Sequence, residues 1–292
     1  MRTIPGRKSL ANAPHFRNTI ARDMSLALIA EKDFGGHQAV GQRSQQEDAY
    51  VFSAIPGPPG AATGQLVVVA DGMGGHAAGN LASEVAVRAF AKAFPVSGMT
   101  MEERFKRALN AANEGLAAAI EADLDHLEGM GTTLVAAVVT PAGLEWVSIG
   151  DSPLYLFREG NLRRVNEDHS FRPVLREMVQ KGELSEDQAA SSALKNRLRS
   201  ALIGSEIALV DRSPAPLPLL PGDVVLAASD GLQSLTDERI SSVLREHAKT
   251  SASPLAARLL QAVLEAGVPK QDNITVAILK PTGDWLRAPS GA

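Results

Sequence analysis

The chain has 292 residues, 45 % of them hydrophobic and 21 % charged, with a net charge of −4 and no cysteine. That composition is ordinary for a globular protein, and the length allows one large domain or two average ones. It excludes disulfides, thiolate metal sites and cysteine nucleophiles, and gives no electrostatic reason to expect nucleic acid or an anionic membrane as partner.

Residues 1–34 carry Pro5, Gly6 and Pro14 without apolar periodicity and read as an N-terminal extension. Arg2, Arg7 and Lys8 precede an apolar stretch at 24–30, but it is short and runs into Glu31, Lys32 and Asp33, which argues against a signal peptide. No run approaches the roughly 18 residues of a membrane helix, so the cytoplasm is the expected compartment. From 35 to 284 the chain reads as one domain with neither a long polar linker nor a repeat, and 285–292 as a tail.

Short strands rich in valine, leucine and isoleucine are predicted at 65–70, 133–139, 144–149, 154–157, 223–229 and 274–279. Pro141–Gly143 and Gly160–Asn161 read as hairpin turns. Helices are predicted at 80–94, with Leu81, Val85 and Ala89 on one face, and at 101–122, with Phe105, Leu109, Ala112, Leu116 and Ile120 on one face. A third is predicted at 253–266, carrying Leu255, Leu259 and Val263, with Ser253 as N-cap and Pro254 at N1. Hairpins interleaved with helices imply antiparallel sheets covered by helices, an α+β fold.

Four aspartates share one local context. Asp71 follows "LVVVA", Asp151 follows "EWVSIG", Asp230 follows "VVLAAS", and Asp272 leads into "ITVAIL". Singly, each is an ordinary turn residue. Together at strand ends they would repel and raise one another's pKa unless cations neutralise them. Oxygen ligands, with neither cysteine nor closely spaced histidine pairs, point to Mg²⁺ or Mn²⁺ rather than zinc. Upstream, "GQRSQQEDAY" places Arg43 near Glu47 and Asp48. Adjacent strand residues point to opposite faces, so these two acids are not expected to be equivalent ligands. The planar fork of Arg43 suits a phosphate, although spacing alone fits a surface arginine equally well.

In order and context, "RSQQEDAY", "VVADGMGGHAAG", "GTTLVAAVV", "VSIGDSPLYLF", "AASDGL" and "QDNITVAIL" resemble the metal-dependent protein phosphatase 2C (PPM) family, its bacterial branch in particular, over residues 36–280. The resemblance implies a four-layer α-β-β-α sandwich with a metal centre at one end. It implies that Asp71 bridges two tightly bound metals with the Gly72 carbonyl completing one sphere. Asp230 and Asp272 would hold the second metal, and Glu47, Asp48 and Asn273 would support. Asp151, with Asp230, would hold a weaker third ion, and Arg43 would clamp the substrate phosphate. The implied reaction is hydrolysis of protein phosphoserine and phosphothreonine, the targets of a Ser/Thr kinase, by a metal-bridging water and without a phosphoenzyme. The protein is expected to act as a monomer.

Two positions depart from the family pattern. Pro153 follows Gly-Asp-Ser where many relatives have arginine. Met73 stands where eukaryotic members have a histidine proposed as general acid, and it cannot donate a proton. His76 and His169 read better as locally satisfied histidines than as replacements. Residues 170–205 occupy the place of a flap beside the site, and their composition fits a lid or two surface helices. The rival readings are a non-catalytic binding module of the same fold, which the retained acids and Arg43 oppose, and another two-metal phosphoesterase such as a nuclease, which the acidic charge opposes.

Overall fold

Leu66, Val68 and Ala70 alternate with Val67 and Val69 along one strand, yet all five are fully buried. A strand of that kind needs cover on both faces. The computed structural model, which describes residues 27–56, 64–74 and 77–287, provides it with two stacked sheets and helices outside each.

One sheet contains β2 (Asp48–Ile55), β3 (Gly64–Met73), β5 (Leu134–Thr140), β6 (Gly143–Ile149) and β9 (Asp211–Arg212) in that spatial order, with β4 (Gly131–Thr132) paired to β3. The other contains β1 (Phe34–Ala39), β11 (Ile274–Leu279), β10 (Val224–Ala228), β7 (Leu154–Arg158) and β8 (Asn161–Arg164), again in spatial order. The pairing is antiparallel throughout.

Between the sheets, Val67, Val69, Val135, Ala137, Leu154, Leu156, Val225 and Ala277 form a shared apolar layer. On its outer face the first sheet packs against α1 (Ala77–Ala93) and α2 (Met101–Ala122), through Ala82, Ala86, Phe90, Phe105, Leu109 and Leu116. The second sheet packs against α6 (Asp237–Glu246) and α7 (Ala252–Glu265), through Ile240, Leu244, Leu255 and Leu259. This is the expected α-β-β-α layering, in which period-2 alternation feeds two different cores from a single strand. In chain order α3 (Leu124–Leu127), α4 (Arg172–Gln180) and α5 (Glu186–Ser191) fall between these two helix pairs, while α8 (Gly283–Leu286) closes the described chain. No helix of the described residues is long and apolar enough to cross a membrane.

Helix α2 matches its predicted span because its start is capped twice over. Thr100 Oγ1 accepts from the Glu103 amide, and Glu103 accepts from the Thr100 amide. The predicted stripe on α1 is displaced. Leu81 is exposed, while Val85 and Ala89 face Gly115 of α2, so that line meets the neighbouring helix and the alanines meet the sheet. Helix α7 begins one residue earlier than predicted. Ser251 stands at the N-cap, and Ser253 lies in the first turn with its hydroxyl 3.0 Å from His37 Nε2. The β7–β8 hairpin turns on Glu159 and Gly160, one residue before the predicted pair, because Arg158 pairs with Asn161. Both turn residues have positive φ, 51° and 85°, as the tight turn favoured by twisted hairpins requires.

β1, β2, β4, β9, α3, α6 and α8 are not among the elements the sequence predicts. β1 and most of β2 are only partly buried and lack a clean apolar pattern. Trp285, in the stretch read as a tail, is 1 % exposed and belongs to the layer between the sheets. Leu28, in the stretch read as an extension, also packs against that layer.

Candidate active site at the end of the sandwich

Asp48 and Asp71 stand directly opposite each other in the β2–β3 register. The backbone of Asp71 is clamped on both sides. Its amide donates to Thr133 Oγ1 at 3.0 Å, and its carbonyl accepts from the Thr133 amide and the Thr132 hydroxyl, each at 2.9 Å. Thr133 Oγ1 lies 2.7 Å from Ser152 Oγ, which ties the Asp71 strand end to the turn carrying Asp151. That turn is also held from the far side, where the His169 amide donates to the Gly150 carbonyl and the Gly150 amide donates to His169 Nδ1. Burial lowers the His169 pKa, which favours the neutral ring whose Nδ1 accepts from Gly150. His76 lies outside the described residues.

Asp230 opens a short 3₁₀ turn after β10, and Asp272 leads into β11. Asn273 organises the opposing loop. Its Nδ2 donates to the carbonyls of Val40 and Gln45, and its Oδ1 accepts from the Glu47 amide at 2.7 Å. Arg43, Glu47, Asp71, Gly72, Met73, Asp151, Asp230 and Asp272 consequently line one cleft of about 770 Å³. Asp48 lies behind it, and Asn273 holds its rim. Acids separated by up to 225 residues in sequence therefore face one space because both sheets end there.

The electrostatics match that crowding. Burial pushes Asp71 well above the usual carboxylate range, and the charges of Asp48, Asp230, Asp151 and Asp272 raise it further. Asp48 is raised to about 7, chiefly by burial, although Ser229 and Thr275 oppose the shift by donating to its Oδ2 at 2.7 and 2.8 Å. Its other oxygen, Oδ1, is buried with no hydrogen-bond partner in the structure. Asp151 is also raised to about 7, by burial and by Asp230. Asp230 is raised by burial and by Asp272, against the pull of Arg172.

Among the described residues no three acidic or imidazole groups close on one point as a finished ligand cage. Two arginines stand against the acids instead. Arg43 Nη2 is 2.6 Å from Asp272 Oδ2, and Arg172 reaches Asp151 and Asp230 at 3.4 and 3.8 Å. The donor set nevertheless fits divalent cations. It is all oxygen, strongly anionic and mutually repelling, with an orphaned buried carboxylate oxygen at its back.

Gly72 has a packing reason beyond any ligand. A Cβ there would overlap the carbonyl oxygen of Gly79, where α1 meets the end of β3. Met73 lines the cleft and pairs with Gly131, offering no proton donor. Pro153 accepts from the Ala228 amide at 3.1 Å, joining the Asp151 turn to β10.

The stretch 170–205 forms α4 and α5 and then returns along the cleft, bridging Ser170 to Leu198 and Thr132 to Leu202. It brings Arg197 and Arg199 to the cleft wall. The sequence reading missed these two arginines, Arg172 and the hydroxyls of Thr133, Ser229 and Thr275. The "TT" after Gly131 and the Ser before Asp230 were visible, but common residue types carry no signal until the fold sets them beside a carboxylate.

Residues 36–270 match the family model described as Protein phosphatase 2C. The chain is 33 % identical over 220 residues to the serine/threonine phosphatase stp of Listeria monocytogenes, covering 74 % of this chain and 84 % of the relative. It is also similar to the crystal structure of the Mycobacterium tuberculosis serine/threonine phosphatase PstP/Ppp, with a TM-score of 0.67, 32 % identity, and coverage of 85 % and 97 %. The catalytic domain of PstP in complex with two manganese ions matches with a TM-score of 0.66 and 32 % identity, over 85 % of this chain and 96 % of that one.

Proposed function

This chain belongs to the protein phosphatase 2C family, and on that premise we propose how its cleft performs protein serine/threonine phosphatase chemistry. The observation that carries the reading is the convergence of Asp71, Asp151, Asp230 and Asp272 on one cleft with Arg43 at its rim. Asp71 and the Gly72 carbonyl, with Asp230 and Asp272, would hold two tightly bound ions, Mg²⁺ or Mn²⁺. Glu47 and Asp48 would support them, and Asp151 with Asp230 would hold a weaker third. Bound divalent cations supply the positive charge that phosphate hydrolysis needs and make water acidic enough to attack at neutral pH.

The chain's own part is positioning and charge. The Thr132–Thr133 clamp fixes the Asp71 strand end, and Asn273 fixes the loop bearing Glu47. Arg43 binds the substrate phosphate. Its side chain is 51 % exposed and its partner Asp272 37 %, so their ion pair is worth only about 0–1 kcal/mol and yields readily to a more highly charged phosphate. Met73 donates no proton, so leaving-group protonation falls to water or to another group. The substrates in this reading are phosphoserine and phosphothreonine in targets of a Ser/Thr kinase, met in the cytoplasm by a monomer.

A metal-titrated assay on phosphoserine, phosphothreonine and phosphotyrosine peptides tests the proposal. Metal-dependent release from the first two supports it. Release that persists in chelator, or that favours phosphotyrosine, refutes it.

A further inference from the structure

Arg172 is the first residue of α4, a position where a cation is disfavoured, because the helix N-terminus carries partial positive charge. What holds it there lies in front of it. Its Nη1 is 3.4 Å from Asp151 Oδ2, and its Nη2 is 3.8 Å from Asp230 Oδ2. The guanidinium therefore lies against two acids and closes a bidentate fork on neither. The same group donates to Gln233 Oε1 at 3.1 Å and to Asn196 Oδ1 at 3.2 Å. Arg164 stands nearby but engages the Asp151 backbone carbonyl, leaving the carboxylate to Arg172.

A positive group shared by two buried or half-buried carboxylates does the electrostatic work of a metal ion. We infer that Arg172 is a tethered cation that competes with a divalent ion for the Asp151–Asp230 pair. A metal ion and a guanidinium cannot both sit against that pair without strong repulsion, so filling the weak site displaces Arg172. Displacement breaks its bonds to Gln233 and Asn196 and thereby couples the weak site to the 170–205 segment. The inference rests on the reading of Asp151 and Asp230 as ligands of a third ion.

Calorimetric titration of Mn²⁺ into the metal-stripped full chain provides the test, with no activity readout. The wild type is compared with Arg172→Met and with Arg172→Gln, which keeps a polar head in case the first folds poorly. Arg176→Met removes an exposed charge one turn further along α4 and serves as the control for the general field. The weak site should tighten by about fivefold or more in the Arg172 variants, the lower end of ordinary site-to-site coupling. It should not tighten in Arg176→Met, and adding Asp151→Asn should abolish the gain. Equal weak-site affinity in wild type and Arg172 variants, or an equal gain in Arg176→Met, overturns the competition alone. Two sites and no third in every protein overturns the competition together with the third-ion reading. Phosphopeptide hydrolysis, measured separately, decides the catalytic proposal.

Discussion

Replacing Asp48 by asparagine isolates the cost of holding a buried carboxylate behind the cleft. Asp48 is 3 % exposed, and its pKa is raised from 3.8 to about 7, with burial the largest cause. The sign follows from linkage. A carboxyl whose folded pKa lies above its unfolded value binds more protons in the folded state. Folding is then most favoured below pH 4, and stability is lost as pH rises from about 4 through about 7. A shift of that size costs the folded, metal-stripped chain about 4 kcal/mol by pH 8. Asparagine stays neutral at every pH and keeps an oxygen that can accept from Ser229 and Thr275. His169 acts in the opposite direction, because its lowered pKa costs stability as pH falls, so the difference between the two proteins is the informative quantity. Urea unfolding in EDTA at pH 5 and pH 8 is the assay. The wild type should lose about 2–3 kcal/mol more than Asp48→Asn between pH 5 and pH 8, the part of the total cost that falls in that window, and Mn²⁺ at pH 8 should restore the wild type. Equal pH dependence in the two proteins would mean that Asp48 is not strained by burial, and the electrostatic account of the cleft would fail with it.

Three further outcomes are expected. Arg43→Ala should raise KM for a phosphopeptide, costing about 1.5–3 kcal/mol in kcat/KM while leaving Mn²⁺ affinity nearly intact; an unchanged kcat/KM would reduce Arg43 to a surface residue. Asp71→Asn should remove tight two-site Mn²⁺ binding in calorimetry while the circular dichroism spectrum is preserved, and two intact sites would sink its assignment as the bridging acid. Trp285→Ala should destabilise the fold by about 3–5 kcal/mol, as a fully buried aromatic does, and a change within about 0.5 kcal/mol in urea unfolding would show that the domain ends before it.

The sequence alone determined the strands that carry the core, because runs such as "LVVVA" and "ITVAIL" are rich in valine and isoleucine and too short for a buried helix. It also determined helix α2, whose Phe105, Leu109 and Leu116 recur at helical spacing. The strand-end aspartates were legible for the same reason, since each marks the point where a buried run meets a charge. Their meeting in one cleft was suggested only by their number and by the family resemblance. Partly buried elements left weak traces, so β1, β2 and the burial of Trp285 emerged only with the two-sheet packing. The family resemblance gives Gly72 a ligand role, and the structure adds the close approach of the Gly79 backbone. Arg172 shows the limit most clearly. Nothing in "HSFRPV" distinguishes it from a surface arginine, because Asp151, Asp230 and Gln233 come from other segments of the chain and Asn196 lies 24 residues further on. Periodicity and local residue type are written along the chain, but a charge acquires its role from what lies within a few ångströms in space, and that distance exists only after folding.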